Sequence, residues 1–513
     1  MLIVVVAFVA IGINRIGYQG FEDDTNYLIA ANGWLQNPPF IAENHWQTRL
    51  PLILTISTSI ALLGQSEFSV SLGASIFYLA LIVVLVYTVK SLIDQRTALV
   101  FGTLIATSPL LAIYGTTLYP EIYELFFAMA GVSLFLMVAE KKLNNDLAPL
   151  FFSGILLGLA FLTRETSSAI LLFLIILFLA GYGPLRSRYW FMAGGFLLVV
   201  ISEAVFYWYY TGELLYRYQL DSGHAQIFSN HLKGGVYDGS PFFSIKLMSL
   251  WVSDSPFPIH WFIDPFVTFF ISPAYGGVFL FALFALVMLL KSKTLDNKTK
   301  KVLKFSIFIS IVWFFFIVYV LVLRPQSRYF LPLIVAANLL ISIFYSNCLV
   351  PRRPLIANIL IGTIIIINLI LIDLRQDPRY IPKLLTSTAK RYDEPIYARA
   401  DWIKSASALH TNKERSQLKP LPAPQQGLLF TESASAQPTI GKIIDVIKGP
   451  RPLSLLLISN FPLISEKVSN YMNQTYPEFC VVRSQVFIEN NKTGHNEKAD
   501  IPLPSKKTFI NNK

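Results

Sequence analysis

Eleven apolar runs, at 2–16, 68–89, 97–113, 119–139, 150–163, 168–181, 189–210, 266–290, 302–323, 329–347 and 355–372, alternate with polar connections along this chain. A helix that crosses a bilayer takes about 20 apolar residues. Repeated runs of this length, with few charges inside them, predict an all-α bundle of about 11 transmembrane helices. The first run is short, so its helix continues to Tyr18 or the natural start lies upstream. A further stretch, 50–63, carries Thr and Ser and opens with Pro51, which predicts a helix lying along or dipping into the interface. Longer connections occupy 17–67 and 211–264. After Asp373 the pattern stops. There a helical stretch at 397–409, strand-like stretches at 453–459 and 479–488, and a Pro420-Leu421-Pro422-Ala423-Pro424 break remain. The expected organisation is a transmembrane domain at 1–373 and a tail at 374–513, either a small α/β domain or partly disordered.

Composition agrees with this pattern. Hydrophobic residues make up 54% of the 513 and charged residues 14%, with a mean hydropathy of +0.53, whereas soluble domains carry about 25% charged residues. The net charge of +11 sits in short clusters: Lys90 and Arg96; Lys141 and Lys142; Arg186 and Arg188; six lysines between 291 and 304; Arg352 and Arg353. These lie in alternate connections, so by the positive-inside bias they are cytoplasmic, with the N-terminus inside and 50–63 not crossing. Anionic membrane lipid is the expected partner of this charge; nucleic acid is not, because no patterned basic helix is present. The two cysteines, Cys348 and Cys480, fall on opposite sides of the membrane on this topology, and no disulfide is expected.

The same topology gathers the unusual charges at the other, outer face: Asp23, Asp24, Glu121, Arg164, Glu165, Arg324 and Arg328, with the tail beside them. In Phe21-Glu22-Asp23-Asp24-Thr25-Asn26-Tyr27 three carboxylates stand in a row. A solvated loop is the plain reading of such a run. Charges beside a bilayer are costly to bury, however, and a cluster of them marks a site at the membrane face. Asp23 or Asp24 is the candidate base, since a hydroxyl acceptor loses its proton to a nearby carboxylate. Tyr27, His45, Trp46 and Arg49 follow. Glu121 opens a span after Pro120, where the helix dipole alone would favour an acid. Arg164 and Glu165 end a span, and Arg324 and Arg328 frame a tight turn; arginine suits bidentate phosphate binding. His224 and His231 match no strong zinc spacing. A Walker A loop, a dinucleotide fingerprint, a Gly-x-Ser-x-Gly elbow and a His-Glu-x-x-His motif are absent from the sequence.

Taken in order, these pieces resemble the GT-C membrane glycosyltransferases, in particular the protein-mannosyltransferase and aminoarabinose-transferase superfamily. The resemblance rests on Asp23-Asp24-Thr25-Asn26-Tyr27 with Ala30-Ala31, on His45 to Pro51, on Gly64-Gln65-Ser66-Glu67, and on Pro120-Glu121. It continues in Gly158 to Thr163, with Arg164 where Lys is usual, and in Arg328 to Pro332. The tail lies outside it. The resemblance implies transfer of a sugar from a polyprenyl-phosphate donor to a protein or glycolipid acceptor, at a hydroxyl or phosphate group, with inversion. Asp23 would be the base and Asp24 the second choice. Arg324, Arg328 and Arg164 would hold the lipid phosphate and stabilise its leaving charge, and Glu121 would hold acceptor or sugar hydroxyls. Tyr27, His45, Arg49, Glu165 and Tyr329 complete the candidate substrate-binding set. No cofactor is required on this reading, although a divalent metal shared by Asp23, Asp24 and Glu121 is compatible with it. Two other classes remain open: a transporter or flippase for lipid-linked saccharides, which would place charges near the midplane, and an inactive relative acting as a scaffold.

Overall fold

The apolar runs fold as helices wherever the computed structural model describes them. Described are residues 2–15, 17–20, 22–143, 146–222, 269–270, 275, 277–292, 295–320, 327–374, 381–409, 417–421, 428–432, 441–448, 451–460, 465–475 and 478–484. The chain divides into two units, Met1–Tyr18 with Asn26–Arg375, and Gln19–Thr25 with Gln376–Lys513.

The described part of the first unit is helical. Its elements are α1 (Leu2–Ile13), α2 (Glu22–Gln36, whose first turn falls in the second unit), α3 (Leu50–Leu63), α4 (Glu67–Leu92), α5 (Gln95–Thr107), α6 (Pro109–Tyr114), α7 (Glu121–Ala139), α8 (Leu147–Thr163), α9 (Ser168–Leu179), α10 (Tyr189–Thr211), α11 (Val278–Lys291), α12 (Asn297–Phe315), α13 (Leu331–Phe344) and α14 (Pro354–Leu374). Among the described residues six helices, built on α4, α7, α10, α12, α13 and α14, are long and apolar enough to cross a membrane. α1, α3, α8, α9 and α11 are shorter apolar helices. The chain is an integral membrane protein. α7 and α13 form its centre, with 83% of their apolar windows buried, against 22% for α10 and α14 at the periphery. α10 exposes Trp190 near one end and Trp208 and Tyr209 near the other. At ~1.5 Å per residue these anchors stand roughly 27 Å apart, close to the hydrocarbon thickness.

Local sequence explains where helices begin and how they meet. Ser66 and Ser69 form a reciprocal capping box in front of α4, and Asp94 Oδ1 accepts the Thr97 N–H at 2.8 Å in front of α5. The run 97–113, expected as one span, breaks into α5 and α6, because Pro109 cannot donate to the α5 ladder and instead starts a new helix. α8 and α10 touch backbone to backbone. A Cβ at Gly154 would overlap the Met192 carbonyl, and one at Gly195 would overlap the Phe151 carbonyl. Gly154-x-x-x-Gly158 is therefore a small-residue seam of the kind that lets membrane helices approach. α9 leans the other way, with Phe173 packed at 4.9 Å from Phe305 and 5.4 Å from Phe308 of α12.

The second unit holds an α/β fold over the described part of the tail. β1 (Ile396–Ala398), β2 (Leu418–Pro420), β3 (Leu428–Glu432), β4 (Gly441–Lys448) and β5 (Glu478–Ser484) form one sheet in the order β2-β1-β3-β5-β4. β1 runs parallel to β2 and β3, and β5 antiparallel to β3 and β4. Helices α15 (Ile381–Arg391) and α16 (Ala400–Leu409) bring Leu385, Ala389, Ile403 and Ala406 onto a core with Phe430 and Phe479. The stretch 453–459, expected as a strand, is helix α17 (Leu453–Ile458) instead, and α18 (Ser465–Thr475) follows. A short apolar run does not distinguish helix from strand by periodicity, and three leucines in a row after Pro452 favour the helix.

Candidate active site

One end of the first unit collects the charges. α7 starts directly after Pro120, so Glu121 and Glu124, three residues apart, share one face of its first turn. α8 ends at Thr163, and Arg164 is extended (φ −164°) before the tight turn Glu165–Ser167 leads into α9. Arg164 Nη1 thereby donates to Glu121 Oε1 at 2.7 Å, with side-chain exposures of 8% and 1%. A second turn, Ser327–Phe330, opens α13 and sets Arg328 Nε 3.6 Å from the same oxygen, while Arg328 keeps 23% exposure. The Tyr329 ring lies under both guanidinium groups, 4.3 Å from Arg164 and 5.4 Å from Arg328. Trp313 Nε1 fixes that turn by donating to the Tyr329 carbonyl at 2.8 Å.

One turn deeper, Glu124 Oε1 accepts the hydroxyls of Thr166 and of Ser167, the latter at 2.8 Å. A cavity of ≈10 Å³, lined by Glu121, Glu124, Trp313, Arg328 and Tyr329, has room for about one water. Glu121 Oε2 is buried and has no hydrogen-bond partner among the described residues. Glu121, Arg164, Arg328 and Tyr329, distant in sequence, thus form a single cluster.

A neighbouring cluster is centred on a residue that sequence reasoning passed over. Arg217 is buried and donates to Glu203 Oε1 at 2.9 Å, to the Leu162 carbonyl at 3.0 Å, to the Phe161 carbonyl at 3.3 Å and to Glu165. It satisfies carbonyls that the end of α8 leaves open, and it ties residues 216–222 to that end. Asp221 stands 3.8 Å from Arg217 Nε. Burial pushes its carboxyl up to about 7 and Glu165 adds to the rise, while Arg217 and Arg49 oppose it. The signal was Glu203, an acid inside the apolar run 189–210, which implies a cation nearby. Arg49 in turn donates to the Tyr27 hydroxyl, and the His45 ring lies 3.9 Å from that of Trp46, tilted by 40°.

The acidic pair belongs to the second unit. The run expected as a loop at its plainest is the first turn of α2. Asp24 is fully buried, and its Oδ2 accepts the N–H groups of Gln19 at 2.7 Å and Gly20 at 3.1 Å. Gly20 has φ +76°, a conformation open to glycine. Asp23 is half-buried. Arg324, His224 and His231 lie outside the described residues. No group of three or more His, Cys, Asp or Glu that could hold a metal occurs among the described residues.

Residues 50–208 match the family described as dolichyl-phosphate-mannose-protein mannosyltransferase. Over that span the chain is mannosyltransferase-like. The matched segment contains Glu121, Arg164, Glu165 and Glu203, and leaves Asp23, Asp24, Arg217 and Arg328 outside it. Three of the motifs on which the resemblance rests, Gly64 to Glu67, Pro120-Glu121 and Gly158 to Thr163, lie within it. No curated protein matches the chain. Among solved structures, the Archaeoglobus fulgidus oligosaccharyltransferase in complex with Zn and sulfate is similar at 13% identity and a TM-score of 0.49, over 93% of this chain and 67% of that one. The same organism's oligosaccharyltransferase AglB, in complex with an inhibitory peptide and a dolichol-phosphate, gives 14% identity and 0.47, over 82% of this chain and 64% of that one. ArnT from Cupriavidus metallidurans bound to undecaprenyl phosphate gives 13% and 0.40, over 85% and 92%. The chain thus spans about two thirds of the length of the archaeal enzymes.

Proposed function

We propose that this protein is an inverting glycosyltransferase that takes a sugar from a polyprenyl-phosphate donor and passes it to a hydroxyl or phosphate acceptor on a protein or glycolipid. The observation that carries the reading is the buried Glu121 held between Arg164 and Arg328, at the end of the bundle away from the lysine-rich connections. Two guanidinium groups converge on Glu121, with Glu124 one turn deeper, and the exposure left to Arg328 lets a phosphate reach it. In the transfer, the acceptor oxygen attacks the anomeric carbon as the bond to the donor phosphate breaks. Arg328 and Arg164, with Arg324, take up the charge on the departing phosphate. Asp23 accepts the acceptor's proton; its half-buried side chain favours it over Asp24, whose Oδ2 is committed to two backbone amides. Tyr27, His45, Arg49, Glu165 and Tyr329 shape the surroundings, and Glu121 holds sugar or acceptor hydroxyls through its second oxygen.

This end of the bundle is taken as the outer face and the N-terminus as cytoplasmic, in a bacterial plasma membrane, with residues 1–373 as the catalytic domain and 374–513 as an outer domain. The chemistry above does not require a divalent ion shared by Asp23, Asp24 and Glu121.

The test is incubation of membranes carrying the protein with labelled polyprenyl-phosphate sugars, in parallel with nucleotide sugars, beside an Asp23→Asn control. Release of polyprenyl phosphate that the substitution abolishes is the expected result. Consumption of nucleotide sugar alone, or no turnover of any lipid-linked donor by folded protein, overturns the reading.

A further inference from the structure

At the end of the bundle opposite Glu121, α9 and α10 part company. The glycine seam draws α10 against α8, while the Phe173 contacts draw α9 against α12. The short connection 180–188 joins the two diverging helices. Between them lies a cleft of ≈380 Å³, lined by Leu157 of α8, Leu174 and Phe178 of α9, and Tyr189, Ala193 and Phe196 of α10. That volume is in the range of small-molecule sites, about 300–1,000 Å³. Its walls are apolar; the Tyr189 hydroxyl is already engaged, donating to the Tyr182 carbonyl at 2.6 Å.

The mouth of the cleft is cationic. The Arg186 guanidinium sits 5.8 Å from the centroid of Phe178, one of the lining rings, and the residue is exposed. One of its N–H groups donates to the Leu179 carbonyl at 3.0 Å, which holds the guanidinium at that edge and leaves its other donors for a ligand. Arg188 is paired with Asp146, so Arg186 is the residue that presents charge there.

We propose that this cleft binds one acyl chain of an anionic phospholipid, with the lipid phosphate held by Arg186. An apolar slot alone would accept any hydrocarbon; the fixed guanidinium at its rim selects an anionic headgroup. The site is separate from the proposed donor site, because Arg164 and Glu165 stand at the far end of α8 and α9. It does not depend on the protein's activity.

The experiment uses the purified full-length chain, delipidated in mild detergent, with dioleoyl phosphatidylglycerol or dioleoyl phosphatidylcholine added, read by native mass spectrometry. The expected result is a discrete adduct that favours phosphatidylglycerol and weakens about fivefold in Arg186→Gln, the contribution of one basic residue at a membrane surface. Ala193→Trp, which fills the slot, removes the adduct. Equal retention of the two lipids overturns the proposal, as does a phosphatidylglycerol adduct untouched by Arg186→Gln. Should Ala193→Trp fail to fold, the surface substitution Arg186→Gln decides by itself.

Discussion

Arg217→Met is the most informative single perturbation of the first unit. Arg217 and Glu203 are paired at 2.9 Å with side-chain exposures of 10% and 7%. Removing the cation strands a carboxylate inside a span, which costs about 3–5 kcal/mol when one partner of a buried pair is deleted. Loss of the donors to the Phe161 and Leu162 carbonyls adds about 1 kcal/mol each before coupling is counted. The bond to Glu165 adds at most ~1 kcal/mol, since that side chain is 43% exposed. Glu203→Leu alone is milder, because Arg217 keeps Glu165 and both carbonyls. If the pair is the source of the cost, the double variant Arg217→Met/Glu203→Leu is more stable than the sum of the singles by about 2 kcal/mol or more. The assay is denaturation of the purified protein in detergent micelles, followed by tryptophan fluorescence, for wild type, both singles and the double. Strict additivity, or Arg217→Met within ~1 kcal/mol of wild type, refutes the argument.

Three further expectations follow from the described contacts. Asp24→Ala removes a carboxylate from two backbone amides and destabilises the start of α2 by about 1.5–3 kcal/mol, the range for hydrogen bonds to charged groups; proteolysis in the 17–25 region measures it, and unchanged protection contradicts it. Arg328→Gln lowers kcat/KM for a lipid-phosphate donor about 10–100-fold, with partial recovery in Arg328→Lys, if the guanidinium meets the phosphate; an equal loss in both variants points instead to the Tyr329 turn. The Asp221 carboxyl is raised, by burial and by Glu165, to about 7, so its ionised form is disfavoured in the folded state. Its contribution to stability therefore falls as pH rises from the unfolded value near ~4 through about 7. Melting curves at pH 5 and 8 should show a loss in the wild type that Asp221→Asn abolishes.

Much of this was written in the hydrophobic pattern, because a bilayer forces each spanning segment to satisfy its own backbone and so to be a helix. The break at Ser108-Pro109 was visible as a proline but hidden by unbroken hydropathy on both sides. Glu121, Arg164 and Arg328 were legible as charges at the ends of apolar runs. Their convergence on one carboxylate oxygen was not, since it depends on how α7, α8 and α13 pack. Arg217 stayed hidden for another reason: it sits in a polar connection among tyrosines, where an arginine attracts no notice until its partner inside α10 is known. The helix at 453–458 was misread because six residues are too few for a period to declare itself.

Gly154, Gly158 and Gly195 carry a consequence for sequence tolerance. In a solvent-exposed helix, replacing glycine by alanine gains about 1 kcal/mol of helix propensity. At Gly154 and Gly195 the sign reverses, because the added methyl would collide with main-chain carbonyls that have no rotamer by which to move aside. In hydrocarbon, where a leucine is as well solvated by lipid as by a neighbouring helix, that closeness is the chief attraction between the two segments. These positions act as a gauge of helix separation: any side chain larger than hydrogen at Gly154 or Gly195 requires α8 and α10 to stand further apart.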